Sequence, residues 1–121
     1  MNNLVVLHNS RCMKSRNALK VLEEQNIPYS VVRYLEGKLD IEDLKDLLSK
    51  LRLNPCDIVR KTDALYKEYY EGKEFSNAEW LEILTNHPKL IERPILFNDM
   101  DAVLGRPIEN VITFINKYYK K

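Results

Sequence analysis

Apolar residues in this chain change period repeatedly along its length, and each change marks an element. Leu4-Val5-Val6-Leu7 is an unbroken apolar run without alternation. It predicts a short strand buried on both faces. Helical spacing follows in Ala18, Leu19, Val21 and Leu22, so a helix is expected from about Lys14 to Glu24, stopping at Asn26 ahead of Pro28. Tyr29-Ser30-Val31-Val32-Arg33-Tyr34 is rich in β-branched and aromatic residues and predicts a second strand, with Gly37 marking a turn after it. Strand, helix and strand make a βαβ unit, whose crossover is right-handed as a rule.

The middle of the chain is helical in pattern. Ile41, Leu44, Leu48 and Leu51 recur at spacings of three and four, with Leu47 beside them, up to Asn54-Pro55. Cys56 to Lys61 and Ala64 to Tyr70 predict two further helical pieces. Ser76-Asn77-Ala78-Glu79 has capping-box spacing and opens a helix carrying Trp80, Leu81 and Leu84 up to His87-Pro88. The last third changes again. Pro94-Ile95-Leu96-Phe97, a polar turn and Ala102-Val103-Leu104 predict a β-hairpin, and Gly105-Arg106-Pro107 breaks the pattern. Ile108, Val111, Ile112 and Ile115 form the apolar stripe of a final helix. The expected fold is therefore α/β: a βαβ unit, a helical insert at about 40–90, a β-hairpin and a C-terminal helix, in one domain over 1–121. A mixed sheet with a parallel half and an antiparallel half, covered by helices, is the thioredoxin-like arrangement.

Composition narrows the function. With 121 residues, 45% hydrophobic and 31% charged, the chain can build an ordinary core. The formal net charge of +1 gives no electrostatic case for nucleic acid or a membrane surface. No apolar run reaches membrane-spanning length, and the N-terminus has no signal-peptide pattern. Two cysteines make no disulfide framework, so a reducing, cytoplasmic location is expected. The three glycines form no nucleotide-binding pattern, the Cys and His spacing predicts no metal site, and a phosphatase loop would need an arginine where Ala18 stands.

What remains is Cys12-Met13-Lys14-Ser15, placed where the first helix begins. Unpaired N–H groups and the positive dipole end there favour anions and lower a thiol's pKa, and the thiolate is the reactive form. The same position also suits a small buried cysteine that packs the strand–helix junction. Ser15 cannot close a disulfide, so a one-thiol site must finish its cycle with an external thiol. His8, four residues before Cys12, reads either as a partner of the sulfur or as a structural histidine at a strand end. Arg93 and Arg106 each precede a proline, which fixes them in extended loop backbone, and Arg60 ends the piece after Pro55. Guanidinium groups hold tetrahedral oxyanions by paired hydrogen bonds, although any single arginine is equally a surface salt-bridge residue.

Taken in order, His8-Asn9, Cys12, Ser15-Arg16-Asn17, Tyr34-Leu35-Glu36, Arg60, Ile91-Glu92-Arg93-Pro94-Ile95 and Gly105-Arg106-Pro107 resemble the glutaredoxin-dependent arsenate reductase family across nearly the whole chain. The chain departs from the family in Ser10, where a proline usually follows His-Asn. The resemblance implies a thioredoxin-like fold whose hairpin begins at a cis-proline facing the cysteine. It also implies a nucleophilic Cys12 assisted by His8 and Ser15, and an oxyanion site of Arg60, Arg93 and Arg106. Implied partners are arsenate or a similar oxyanion, glutathione as thiol co-substrate and glutaredoxin, with no bound cofactor and no metal. Transcription regulators of the Spx type, which contact RNA polymerase, share the fold; they commonly carry a redox-switching CxxC that Ser15 interrupts here. A general thiol oxidoreductase without arsenate activity is a third reading. Cys56, four residues before Arg60, would share its helix face if that piece is helical, and reads as a resolving thiol or a buried free cysteine.

Overall fold

Val5–Leu7 forms strand β1, and the apolar run behind it is nearly inaccessible, with Leu4, Val6 and Leu7 each no more than 2% exposed. The computed structural model describes residues 3–8, 12–32 and 40–119. Helix α1 spans Met13–Glu24 and ends where Asn26 adopts a left-handed φ of 58°, a conformation asparagine tolerates. Strand β2 is described over Ser30–Val32 and starts one residue after Tyr29, where the sequence pattern begins; Arg33, Tyr34 and the expected turn at Gly37 lie outside the described residues. Strands β3, Ile95–Phe97, and β4, Ala102–Leu104, form the hairpin. The sheet order is β2-β1-β3-β4. β1 runs parallel to β2 and antiparallel to β3, with Leu7 opposite both Val32 and Ile95. This mixed sheet with its covering helices is thioredoxin-like.

The chain divides into two compact units, Met1–Lys38 with Arg93–Lys121, and Leu39–Glu92. The first unit contains the sheet, α1 and helix α5, Ile108–Tyr118. Its core joins Leu4, Val6 and Leu96 of the sheet to Ala18 and Leu22 of α1 and to Val111, Phe114 and Ile115 of α5. The expected stripe of α5 is corrected at one position. Phe114 is buried and Ile112 is 45% exposed, because one helical step from Val111 turns Ile112 by about 100° toward solvent whereas Phe114 returns to the Val111 face.

The second unit holds helices α2, Ile41–Leu51, α3, Ala64–Tyr69, and α4, Asn77–Asn86. Asp40 and Asp43 make a reciprocal capping box at α2, and Ser76 and Glu79 make one at α4. Leu44, Leu47, Leu48, Trp80 and Leu84 are buried, while Ile41, at the start of the α2 pattern, is 37% exposed. The expected helical piece from Cys56 to Lys61 is corrected. Only Pro55–Ile58 is helical, as a single 3-10 turn, and Val59 then pairs with Ile91 in an isolated antiparallel bridge. Arg60 N–H donates to the Leu90 carbonyl and Glu92 N–H to the Ile58 carbonyl. Those bonds pull the backbone into an extended course before a helix can continue. Cys56, which is exposed, and Arg60 therefore do not share a helix face. Among the described residues, no helix is long and apolar enough to cross a membrane.

Candidate active site

Cys12 occupies the N-cap of α1 in extended backbone (φ −93°, ψ 121°), and its carbonyl accepts the first helical bond from Arg16 N–H at 3.0 Å. Its thiol is partly exposed. Burial pushes the thiol pKa up, but the backbone N–H of Ser15, the Arg93 guanidinium and the backbone N–H of Lys14 all favour the thiolate. Together they outweigh burial and hold the pKa below its ordinary value.

The hairpin brings two arginines to this sulfur. Ile95 faces Leu104 across β3 and β4, and Gly105 N–H donates to the Pro94 carbonyl at 2.8 Å, so Arg93 and Arg106 fall opposite one another at the open end of the hairpin. A Cβ on Gly105 would come within 2.5 Å of the Pro94 side chain, so only glycine allows this approach. Because β1 is antiparallel to β3, the end of β1 that leads to Cys12 meets the start of β3 that follows Arg93. Arg106 Nη2 lies 3.7 Å from Cys12 Sγ, while its Nε donates to the Arg93 carbonyl at 2.7 Å. Arg93 is 7% exposed and hydrogen-bonds the sulfur through its side chain. The peptide bonds Arg93–Pro94 and Arg106–Pro107 are both cis.

His8 and Ser15 form a buried pair behind the sulfur's helix turn. His8 N–H donates to the Val32 carbonyl at 3.0 Å and extends the parallel ladder by one residue. Its Nδ1 lies 2.9 Å from Ser15 Oγ, with His8 6% and Ser15 0% exposed. Arg60 belongs to the second unit. There its Nη1 lies 3.4 Å from Asp63 Oδ2 and its Nε is buried without a hydrogen-bond partner among the described residues. Asn9, Ser10 and Arg11 lie outside the described residues. Among the described residues no group of His, Cys, Asp and Glu could hold a metal ion.

The family resemblance groups the three arginines, but the local residues do not show that Arg106 is tied to the Arg93 backbone. Counting outward from the hairpin turn would have paired them; the signal was the register, and not the local residues. The chemistry available is that of a thiolate with two fixed guanidiniums on one side, an arrangement suited to attack on a tetrahedral oxyanion.

The family model described as the ArsC family matches residues 7–114. An arsenate reductase of Neisseria meningitidis serogroup A is 41% identical over 113 residues, which cover 92% of this chain and 97% of that protein. The uncharacterized protein YfgD of Escherichia coli K12 is 37% identical over 112 residues, covering 91% and 94%. The solved structure of an arsenate reductase from Vibrio cholerae superposes with a TM-score of 0.85 at 39% identity, covering 93% of this chain and 97% of that one.

Proposed function

The chain belongs to the ArsC family, and we propose that it reduces arsenate to arsenite through an adduct on Cys12, with glutathione and glutaredoxin as its thiol partners. One observation carries the proposal: the Cys12 sulfur stands at a helix N-terminus with the Arg93 and Arg106 side chains both on it. The arsenate reductases of Neisseria meningitidis and Vibrio cholerae support the choice of oxyanion.

In the first step the Cys12 thiolate attacks As(V) and forms an S–As bond. One arsenate oxygen leaves as water. Arg93 and Arg106 hold the remaining oxygens and offset the charge that builds on them. Arg106 is pre-positioned by its bond to the Arg93 carbonyl, so it loses little freedom when the anion arrives. In the second step a glutathione thiol attacks the Cys12 sulfur. The S–As bond breaks, its electron pair stays on arsenic, and As(III) leaves as arsenite while the two sulfurs form a mixed disulfide. The thiol proton ends on an arsenic-bound oxygen. Glutaredoxin then takes the glutathionyl group and restores the Cys12 thiol. Ser15 is the reason for the outside thiols, since no second cysteine stands in that turn. The family resemblance assigns Arg60 to the same oxyanion, and its variant Arg60→Ala is expected to raise the KM for arsenate.

The test is arsenate-dependent NADPH oxidation coupled through glutathione, glutaredoxin and glutathione reductase, run beside a thioredoxin and thioredoxin reductase arm. The expected result is turnover in the first arm only, lost in Cys12→Ser. Turnover that survives Cys12→Ser, or NADPH oxidation indifferent to arsenate, would refute the proposal.

A further inference from the structure

A cavity of about 340 Å³ opens between the first turns of α1 and α5, lined by Lys14 and Asn17 on one side and by Arg106, Ile108 and Glu109 on the other. Arg106 is shared between this cavity and the sulfur, which its Nη2 approaches to 3.7 Å. The cavity is thus separated from the reacting atom by one side chain. Its walls are fixed. Ala18 and Leu22 of α1 share a core with Val111, Phe114 and Ile115 of α5, and Asn110 Nδ2 donates to the carbonyls of Leu104 and Arg106, which sets the start of α5. Lys14 and Glu109 are both exposed, and neither is in an ion pair among the described residues.

We propose that this cavity is the docking site of the thiol co-substrate, a zwitterionic thiol peptide of glutathione size. The inference rests on the reductase reading for what the thiol does there, and on geometry alone for the site. Cys12-x-x-Ser15 has no internal resolving thiol, so an outside thiol must be brought to the Cys12 sulfur. A thiol peptide carries carboxylates, an ammonium and amide groups. Lys14 receives a carboxylate, Glu109 the ammonium, and the Asn17 side chain an amide, while Ile108 supplies apolar contact. The volume lies at the small end of the range for ligand pockets, about 300–1,000 Å³, which admits a tripeptide and excludes a folded protein's surface. Arg106 borders both the cavity and the Cys12 sulfur, so a peptide seated here places its thiol alongside Arg106 on the Cys12 side. The chemistry is the second step above: the peptide thiolate bonds to the Cys12 sulfur, the S–As pair passes to arsenic, and arsenite leaves.

Two measurements test it. In the first, S-methylglutathione, which cannot react, is titrated into the reduced wild-type chain and followed by amide chemical shifts. The amides of Lys14, Asn17, Ile108 and Glu109 are expected to move together and saturate, and Lys14→Glu to weaken binding about tenfold, the scale of one charge-assisted contact. No movement of these amides at saturating millimolar ligand overturns the site. In the second, the KM for glutathione is compared with that for 2-mercaptoethanol, an uncharged thiol. Glu109→Lys is expected to raise the former about tenfold and to leave the latter within about twofold, with Glu109→Asp keeping the wild-type value. Equal effects on both thiols overturn the site. Shifts without arsenate turnover keep the site and remove the reductase reading; glutathione-driven turnover without shifts does the reverse.

Discussion

At the residue scale the reactive group is Cys12, with the groups that hold its charge around it. Arg93 and two backbone amides overcome the burial that would otherwise keep the thiol protonated. Arg93→Ala should therefore raise the Cys12 pKa, slow its alkylation at neutral pH, and lower kcat/KM for arsenate about 10²–10³-fold, the cost of one oxyanion donor. Activity should rise with pH through a midpoint below that of free cysteine and move to higher pH in the variant. Stopped-flow alkylation and initial rates across pH check both statements. Cys12 was legible because a lone cysteine followed a strand run and opened a helical pattern. The three arginines were legible only through the family resemblance, since each by itself reads as well as a surface charge. Their neighbours differ in kind: Arg93 and Arg106 meet at the hairpin mouth, while Arg60 sits in a bridged, extended segment beside Asp63.

At the element scale, hydrophobic period and capping chemistry placed most helices and strands. The Ser76–Glu79 box is complete in the structure, and Ser76→Ala should cost about 1 kcal/mol, read as a lower melting temperature. The hairpin turn is fixed by Asn98, whose Oδ1 accepts from Met100 N–H and Asp101 N–H and whose Nδ2 donates to Tyr119 Oη. Asn98 is 2% exposed, and Asn98→Ala would remove the side-chain acceptor of two part-buried turn N–H groups, so it should cost about 1 kcal/mol in denaturant unfolding. The segment from Cys56 to Lys61 was misread because helix and extended backbone compete there over only a few residues. What decided it was pairing with Ile91, some thirty residues away, which no local pattern encodes. Ile112 was misread because four apolar residues at near-helical spacing fit two overlapping faces, and the choice belongs to α1 and the sheet across the core.

At the scale of the whole molecule, the unit of Met1–Lys38 and Arg93–Lys121 is held by one core and by polar ties between the hairpin and α5. Leu22 is fully buried between α1 and α5, and Leu22→Ala should cost about 2–5 kcal/mol. Among these ties is Asp101, which accepts from Tyr118 Oη at 2.7 Å and lies 3.5 Å from Lys117 Nζ. Burial pushes its carboxyl up, but Tyr118, the Ala102 N–H and Lys117 more than offset this and hold it below the usual carboxylate range. A pKa lower in the folded than in the unfolded chain contributes stability that is present above the ordinary carboxylate range. That stability is lost as the pH falls through the folded value. Asp101→Asn should flatten the acid limb of a melting-temperature profile. The sheet itself was legible from the βαβ pattern and hairpin, and the approach of the hairpin's leading proline to Cys12 from the family resemblance; the bond from Arg106 to the Arg93 carbonyl was not, because it follows from the hairpin register.

The most direct test is the rate of Cys12 alkylation measured against pH, with and without arsenate. The expected result is a titration midpoint below that of a free cysteine and protection by arsenate that weakens in Arg93→Ala and Arg106→Ala. A midpoint in the free-cysteine range, with arsenate giving no protection, would contradict it.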